Sequence, residues 1–132
     1  MIVLDASAVV AVLVGPGQGA ERIRERIETP DESLHVPHVM DLEVLHALRR
    51  HILLDILSLE RSSEALEDLK NIVFIRYPHA PLAQRIWDLR VNLTAYDAAY
   101  VALAEALDAP LVTLDARLAR ATGIRAAVEV YE

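Results

Sequence analysis

The sequence predicts an α/β fold with a central, mainly parallel sheet covered by helices on both faces. Three observations carry that expectation. Short apolar runs of strand length alternate with longer segments of helical period, the pattern of strand-helix-strand units. The first run, Ile2-Val3-Leu4, is wholly apolar rather than alternating, which suits a strand buried on both sides. The chain of 132 residues fits one domain, here residues 1–132, with no internal repeat, linker or low-complexity tract.

Taken in order, Ile2-Val3-Leu4 is closed by polar Asp5, and Ala6 to Leu13 reads as a buried helix. Gly15-Pro16-Gly17 is a turn, and Gly19 to Glu28 carries Ala20, Ile23 and Ile27 on one side of an amphipathic helix ended by Thr29-Pro30. Leu34-His35-Val36 is a second short strand, followed by Pro37 and a helix from about Val39 to Arg50, which Ile52 to Leu57 either extends or kinks. Ser62 or Ser63 is placed to cap a helix bearing Leu66 and Leu69, and Ile72 to Tyr77 is the next strand. Pro81 opens a helix through Leu82, Ile86 and Leu89 to about Arg90. Thr94-Ala95-Tyr96-Asp97 opens the clearest helix, which runs to Leu107 before Pro110. Leu111 to Leu114 is a strand, Ala116 to Ala121 a short helix, and Ala127 to Tyr131 the last strand.

Composition narrows the chemistry. Cysteine is absent, so a disulfide framework and a thiolate metal site are both excluded, and a reducing, cytoplasmic setting fits. The start lacks a basic segment and the apolar stretch Ala8 to Val14 is too short to span a bilayer, so neither an export signal nor a membrane anchor is expected. Hydrophobic residues make up 54%, above the roughly 45–50% of average chains, and the excess suits a subunit or partner interface. A net charge of −7 argues against simple phosphate binding. Acids gathered around divalent cations escape that objection, because the ion reverses the local field. Twelve of the thirteen basic side chains are Arg, which binds phosphate bidentately.

Four acids stand where such a sheet places ligands, beyond the carboxyl ends of its strands. Asp5 follows the first strand, and Asp115 follows the Leu111 to Leu114 strand in the same way. Asp97 lies in the first turn of the helix that feeds that strand, and Glu43 sits on the Val39 to Arg50 helix between Leu42 and Val44. Convergent carboxylates suit Mg2+ or Mn2+, hard cations that prefer oxygen ligands. Ser7 and Thr113 are placed to orient a carboxylate or touch a phosphate.

The segments Leu4-Asp5-Ala6-Ser7, Glu43, Tyr96-Asp97-Ala98-Ala99-Tyr100-Val101-Ala102-Leu103-Ala104-Glu105 and Leu111-Val112-Thr113-Leu114-Asp115 resemble, in order and placement, the pattern of PIN-domain ribonucleases of the VapC toxin type. The resemblance spans essentially the whole chain. It implies a three-layer α/β/α PIN-like fold and endonucleolytic RNA cleavage at a Mg2+ or Mn2+ site. Asp5 and Asp97 would be its principal ligands, with Glu43 and Asp115 completing the acidic pocket. It also implies a homodimer and a heteromer with a VapB-like antitoxin. One place departs: many relatives carry Asn three residues after the helix glutamate, and this chain has His46.

Each residue also has a plainer reading. Asp5, Asp97 and Asp115 are typical helix caps, and Thr94 to Asp97 has capping-box spacing. Glu43 also has a reading as an ordinary helix residue, which its place in the family pattern outweighs. His46 with His51, and His35 with His38, have no acidic partner at metal-site spacing and read as structural. Tyr96 and Tyr100, which could stack on an unpaired base, read more readily as core. Arg22, Arg24 and Arg26 alternate with Glu21, Glu25 and Glu28 as on a solvated helix face. Among rival functions, a phosphoacceptor receiver needs a lysine near its last strands, and Lys70 is misplaced. A phosphohydrolase with an aspartyl nucleophile usually shows a second Asp where Ser7 stands. A catalytically silent PIN-like binding module is the remaining rival. The apolar Ala8 and Leu42 to Leu54 segments are candidate dimer surfaces.

Overall fold

β1 (Ile2–Leu4) is the middle strand of a five-stranded, wholly parallel sheet in the computed structural model, which describes residues 1–132. β2 (Leu34–Pro37) and β4 (Leu111–Thr113) flank it, and β3 (Phe74–Tyr77) and β5 (Val128–Val130) form the edges, in the order β3-β2-β1-β4-β5. Val3 stands opposite His35 on one side and Leu111 on the other, so the ends of β1 and β4 lie side by side.

α1 (Ala6–Val14) and α2 (Gly17–Ile27) join β1 to β2, and α3 (Val39–Leu53) and α4 (Leu59–Asn71) join β2 to β3. A 3-10 turn at Ala80–Leu82, α5 (Ala83–Asp88) and α6 (Ala95–Leu107) lead back to β4, and α7 (Ala116–Arg120) leads to β5. The chain winds outward from β1 to β3, then returns past β1 to β4. Right-handed crossovers therefore put the helices of the two halves on opposite faces. α1 packs on α2, α3 and α4, while α6 packs on α5 and across β1, β2 and β4. The strand order reverses between β1 and β4, and a crevice at such a point is the usual ligand position in open α/β sheets.

The core follows from the apolar runs. Ile2, Val3, Leu111 and Val112 are fully buried, and so are Ala8 and Val9 of α1. In α6 all seven residues from Ala98 to Ala104 are buried, because its alanines let the helix lie close against the sheet. No helix is long and apolar enough to cross a membrane.

Several local expectations change. Ser58, one turn before the expected position, caps α4 by accepting from the Arg61 amide at 3.0 Å. Ser62 instead turns its hydroxyl back to the Leu59 carbonyl at 2.7 Å. The Pro81 segment is a 3-10 turn followed by the six-residue α5 rather than one helix to Arg90. Ala8 is inside the core, so of the two candidate dimer surfaces only the α3 side has exposed apolar residues, with Leu42 70% and Leu53 64% exposed. Two of the three arginines of α2 are anchored rather than solvated: Arg24 donates to the carbonyls of Ala11, Val12 and Gly15 at the end of α1, and Arg26 pairs with Glu32 and Glu129, while Arg22 is exposed as expected. Carbonyls at a helix end run out of partners within their own helix, which is why a guanidinium is held there.

Candidate active site

Asp5 leaves β1 as the N-cap of α1 and is only 6% exposed. A carboxylate that deep needs donors, and three converge on it. Ser7 Oγ and the Ala8 amide donate to Oδ1 at 2.6 and 2.9 Å, and the Thr113 hydroxyl donates to Oδ2. Thr113 is itself fully buried and accepts from the Asp115 amide at 2.9 Å, while Ser7 Oγ accepts from the Leu114 amide at 3.1 Å. The two hydroxyls thus tie the end of β1 to the end of β4. Even so, burial outweighs these donors and raises the Asp5 pKa, with the nearby Asp97 charge adding to the effect.

Asp97 reaches the same region from the first turn of α6. The cap there is Thr94, whose hydroxyl accepts from the Asp97 amide at 3.1 Å, so capping does not account for the Asp97 carboxylate. That carboxyl is raised by burial and by Asp115, with Arg117 and the Thr94 hydroxyl pulling the other way. Asp115 caps α7, accepting from the Arg117 amide at 2.9 Å. The Arg117 guanidinium also grips it, with Nε 3.0 and 3.1 Å from its two oxygens and Nη2 2.6 Å from Oδ2, which holds this carboxyl below its usual range. Glu43 projects from α3 and accepts from the Tyr100 hydroxyl at 2.7 Å. Burial raises the Glu43 pKa and the charge of Asp97 raises it further. Tyr100, packed against these acids, has its own ionisation pushed far up.

The sequence leads to an expectation of four carboxylates in one cavity, and the arrangement is more divided. Glu43 borders a hollow of about 770 Å³ with Ser7, His46, Arg50 and Tyr96. Asp97 and Asp115 border another of about 480 Å³ with Thr94, Arg117 and Arg120. Asp97 is the common member electrostatically, since its charge acts on both Asp5 and Glu43 and it feels Asp115. No three acidic or histidine side chains are gathered closely enough to cage an ion by themselves. The donor chemistry nevertheless fits a hard divalent cation held by one or two carboxylates and completed by water, which is how Mg2+ is commonly bound. Two histidines are committed elsewhere: His35 is occupied by Tyr77 and Ser33, at 2.7 and 2.8 Å, and His79 accepts from the Val39 amide.

Residues 2–124 match the PIN domain family model. The chain belongs to the PIN-domain family. This PIN domain is 49% identical over 124 residues to Ribonuclease VapC1 of Mycobacterium tuberculosis, covering 92% of this chain and 91% of the relative. It is 47% identical over 118 residues to Ribonuclease VapC9 of the same organism, covering 89% and 88%. Among solved structures, VapBC2 from Rickettsia felis bound to a promoter DNA fragment superposes with a TM-score of 0.72 at 15% identity, over the whole of both chains. M. tuberculosis VapC20, described as a sarcin-ricin loop cleaving toxin, gives 0.71 at 14% identity over 94% and 96%. At those identities the superpositions speak for the fold alone.

Two residues of this PIN domain's site are not evident from the sequence. Tyr100 reads as core, and it is buried, but its hydroxyl serves Glu43. The signal is its spacing of three from Asp97 on one helix, which puts both on one face. Arg117 carries no local signal that singles it out. Tyr96, which also reads as core, is 59% exposed.

The strain at Asp5 has a measurable sign. Its folded pKa lies above the ordinary value of 3.8, so the cost of its charge is absent below that value and grows as the pH rises from there toward the folded pKa. Asp5→Asn, with the same shape and no charge, is expected to raise the melting temperature by a few degrees at pH 7. That gain should shrink as the pH falls and disappear below the ordinary value of 3.8, and a variant melting lower than wild type at pH 7 would contradict this account.

Proposed function

We propose that this chain is a VapC-type toxin: a single PIN domain over residues 1–132 that hydrolyses RNA phosphodiester bonds with Mg2+ or Mn2+ at Asp5, Asp97, Glu43 and Asp115. The observation that carries the reading is the buried, three-donor cradle around Asp5 at the β1/β4 crevice, with Asp97 of α6 beside it. A protein keeps a desolvated, destabilised carboxyl most often where function needs it. Relatives named as ribonucleases at 47–49% identity support the same reading.

In this reading Asp97 and Asp5 would hold the cation, with Asp115 and Glu43 contributing directly or through water. A divalent ion bound there lowers the pKa of water and neutralises charge developing on the phosphate. The chain's own residues set the geometry. Ser7 and Thr113 fix which Asp5 lone pairs face outward, and Tyr100 holds Glu43 in one orientation. The acidic rim would repel RNA unless a cation were bound. We assign the exposed apolar side chains of α3 and the α3–α4 connection, among them Leu42, Leu53, Leu54 and Ile56, to a VapB-like antitoxin or a second copy of the chain. The homodimer and the toxin–antitoxin heteromer therefore both belong to this reading.

The test uses purified protein and total RNA, with cleaved ends mapped by sequencing. Discrete new ends are expected with Mn2+, none with excess chelator, and recovery when Mn2+ is restored. The same ends appearing in chelator would overturn the metal-dependent reading. No new ends under any condition, with RNA still bound, would favour the silent binding module.

A further inference from the structure

Arg117 is the one guanidinium that hydrogen-bonds any of the four acids. The other paired arginines are committed elsewhere: Arg26 to Glu32 and Glu129, Arg61 to Glu64, Arg76 to Asp41, and Arg85 to Glu105. It sits two residues after Asp115, which would not face it along a helix. Asp115 lies just outside α7 as its cap, however, so the side chain of the second helical residue folds back across it and contacts both oxygens. The Arg117 side chain is 76% exposed against 24% for Asp115. Its remaining N–H groups have no protein acceptor, and its charge also reaches Asp97.

We infer that Arg117 is a built-in counter-cation of the site: it competes with the divalent ion for Asp115 and, once displaced, binds the RNA phosphate next to the one being cut. The inference rests on the metal-dependent ribonuclease reading. Three observations carry it. Both Asp115 oxygens cannot serve a metal directly while Arg117 occupies them in this geometry. The guanidinium side of the pair is 76% exposed, so Arg117 is free to swing into solvent when a divalent cation takes its place on Asp115. A freed guanidinium at the mouth of the Asp97 and Asp115 hollow has the fork geometry that suits phosphate. The protein thus carries a positioning residue whose two partners, carboxylate and phosphate, are used in turn.

The prediction has opposite signs in two measurements. In calorimetric titration of the full chain with Mn2+ alone, Arg117→Gln is expected to bind the ion about two- to fivefold more tightly, the factor set by losing an exposed competing pair. With a synthetic RNA carrying a sequence the wild type cuts, at saturating Mn2+, KM is expected to rise about tenfold as a charge-assisted phosphate contact is lost, with kcat changed little. Arg117→Lys keeps the charge without the fork and should fall between the two in KM. Unchanged or weaker Mn2+ affinity in Arg117→Gln, or an unchanged KM, overturns the inference. That outcome leaves the enzyme assignment intact so long as wild type binds Mn2+ and cuts. If wild type itself neither binds Mn2+ nor cleaves, the underlying reading has failed instead. Thermal melting of Arg117→Gln separates these results from misfolding, and the exposed side chain gives no reason to expect a loss.

Discussion

Asp97→Asn is expected to lower RNA cleavage by on the order of a thousandfold or more while the protein stays folded. A metal contributes several kcal/mol to stabilising charge in the transition state, and each factor of ten corresponds to about 1.4 kcal/mol, so loss of an essential ligand reaches that size. Asparagine matches aspartate in volume, and the helix cap is unaffected because Thr94 makes it with the backbone amide of residue 97. Removing a carboxyl whose pKa is raised by burial should also leave stability equal or slightly higher. Single-turnover cleavage with saturating Mn2+, alongside thermal melting, decides the matter. A variant that keeps a tenth of wild-type activity would remove Asp97 from the site.

The second large effect falls on Thr113→Val, which conserves shape and deletes only the hydroxyl. That hydroxyl gives a proton to Asp5 Oδ2 and takes one from the Asp115 amide, so valine leaves an acceptor and a donor without partners in a fully buried position. The expected cost is about 2–3 kcal/mol, seen as a melting temperature lower by roughly 10 °C. Cleavage should fall about ten- to a hundredfold, as when a group that orients a metal ligand is removed. Thr113→Ser should recover most of both. Full activity in Thr113→Val would mean that Asp5 needs no orientation from β4.

How far the sequence reveals this molecule differs from element to element. β1, β4 and α6 are readable because apolar character that persists over three or more residues, in a chain this small, fits little besides a buried element. The start of α4 is not, since Ser58, Ser62 and Ser63 are equally good caps and only the rest of the fold selects among them. Arg24 shows a different limit. Alternating charges on α2 look solvated locally, yet a long side chain reaches carbonyls on another helix that no local pattern reveals. At the site, chain order and strand adjacency put the four acids at one end of the sheet. What stays hidden is orientation, which gives Tyr100 to Glu43 and Arg117 to Asp115, puts Glu43 in a different hollow from Asp97 and Asp115, and leaves Asp5 buried outside both.

The cradle around Asp5 joins residues separated by 108 positions. β1 remains open along one side until Leu111–Thr113 has been synthesised and has paired with it. Pairings so distant in sequence cost more entropy to form than local ones, because the long loop between them has to be closed first. A chain that has not yet paired β4 with β1 therefore leaves Asp5 without its Thr113 donor and without Asp115 alongside, so the acidic set is assembled only by the most distant strand pairing of the site.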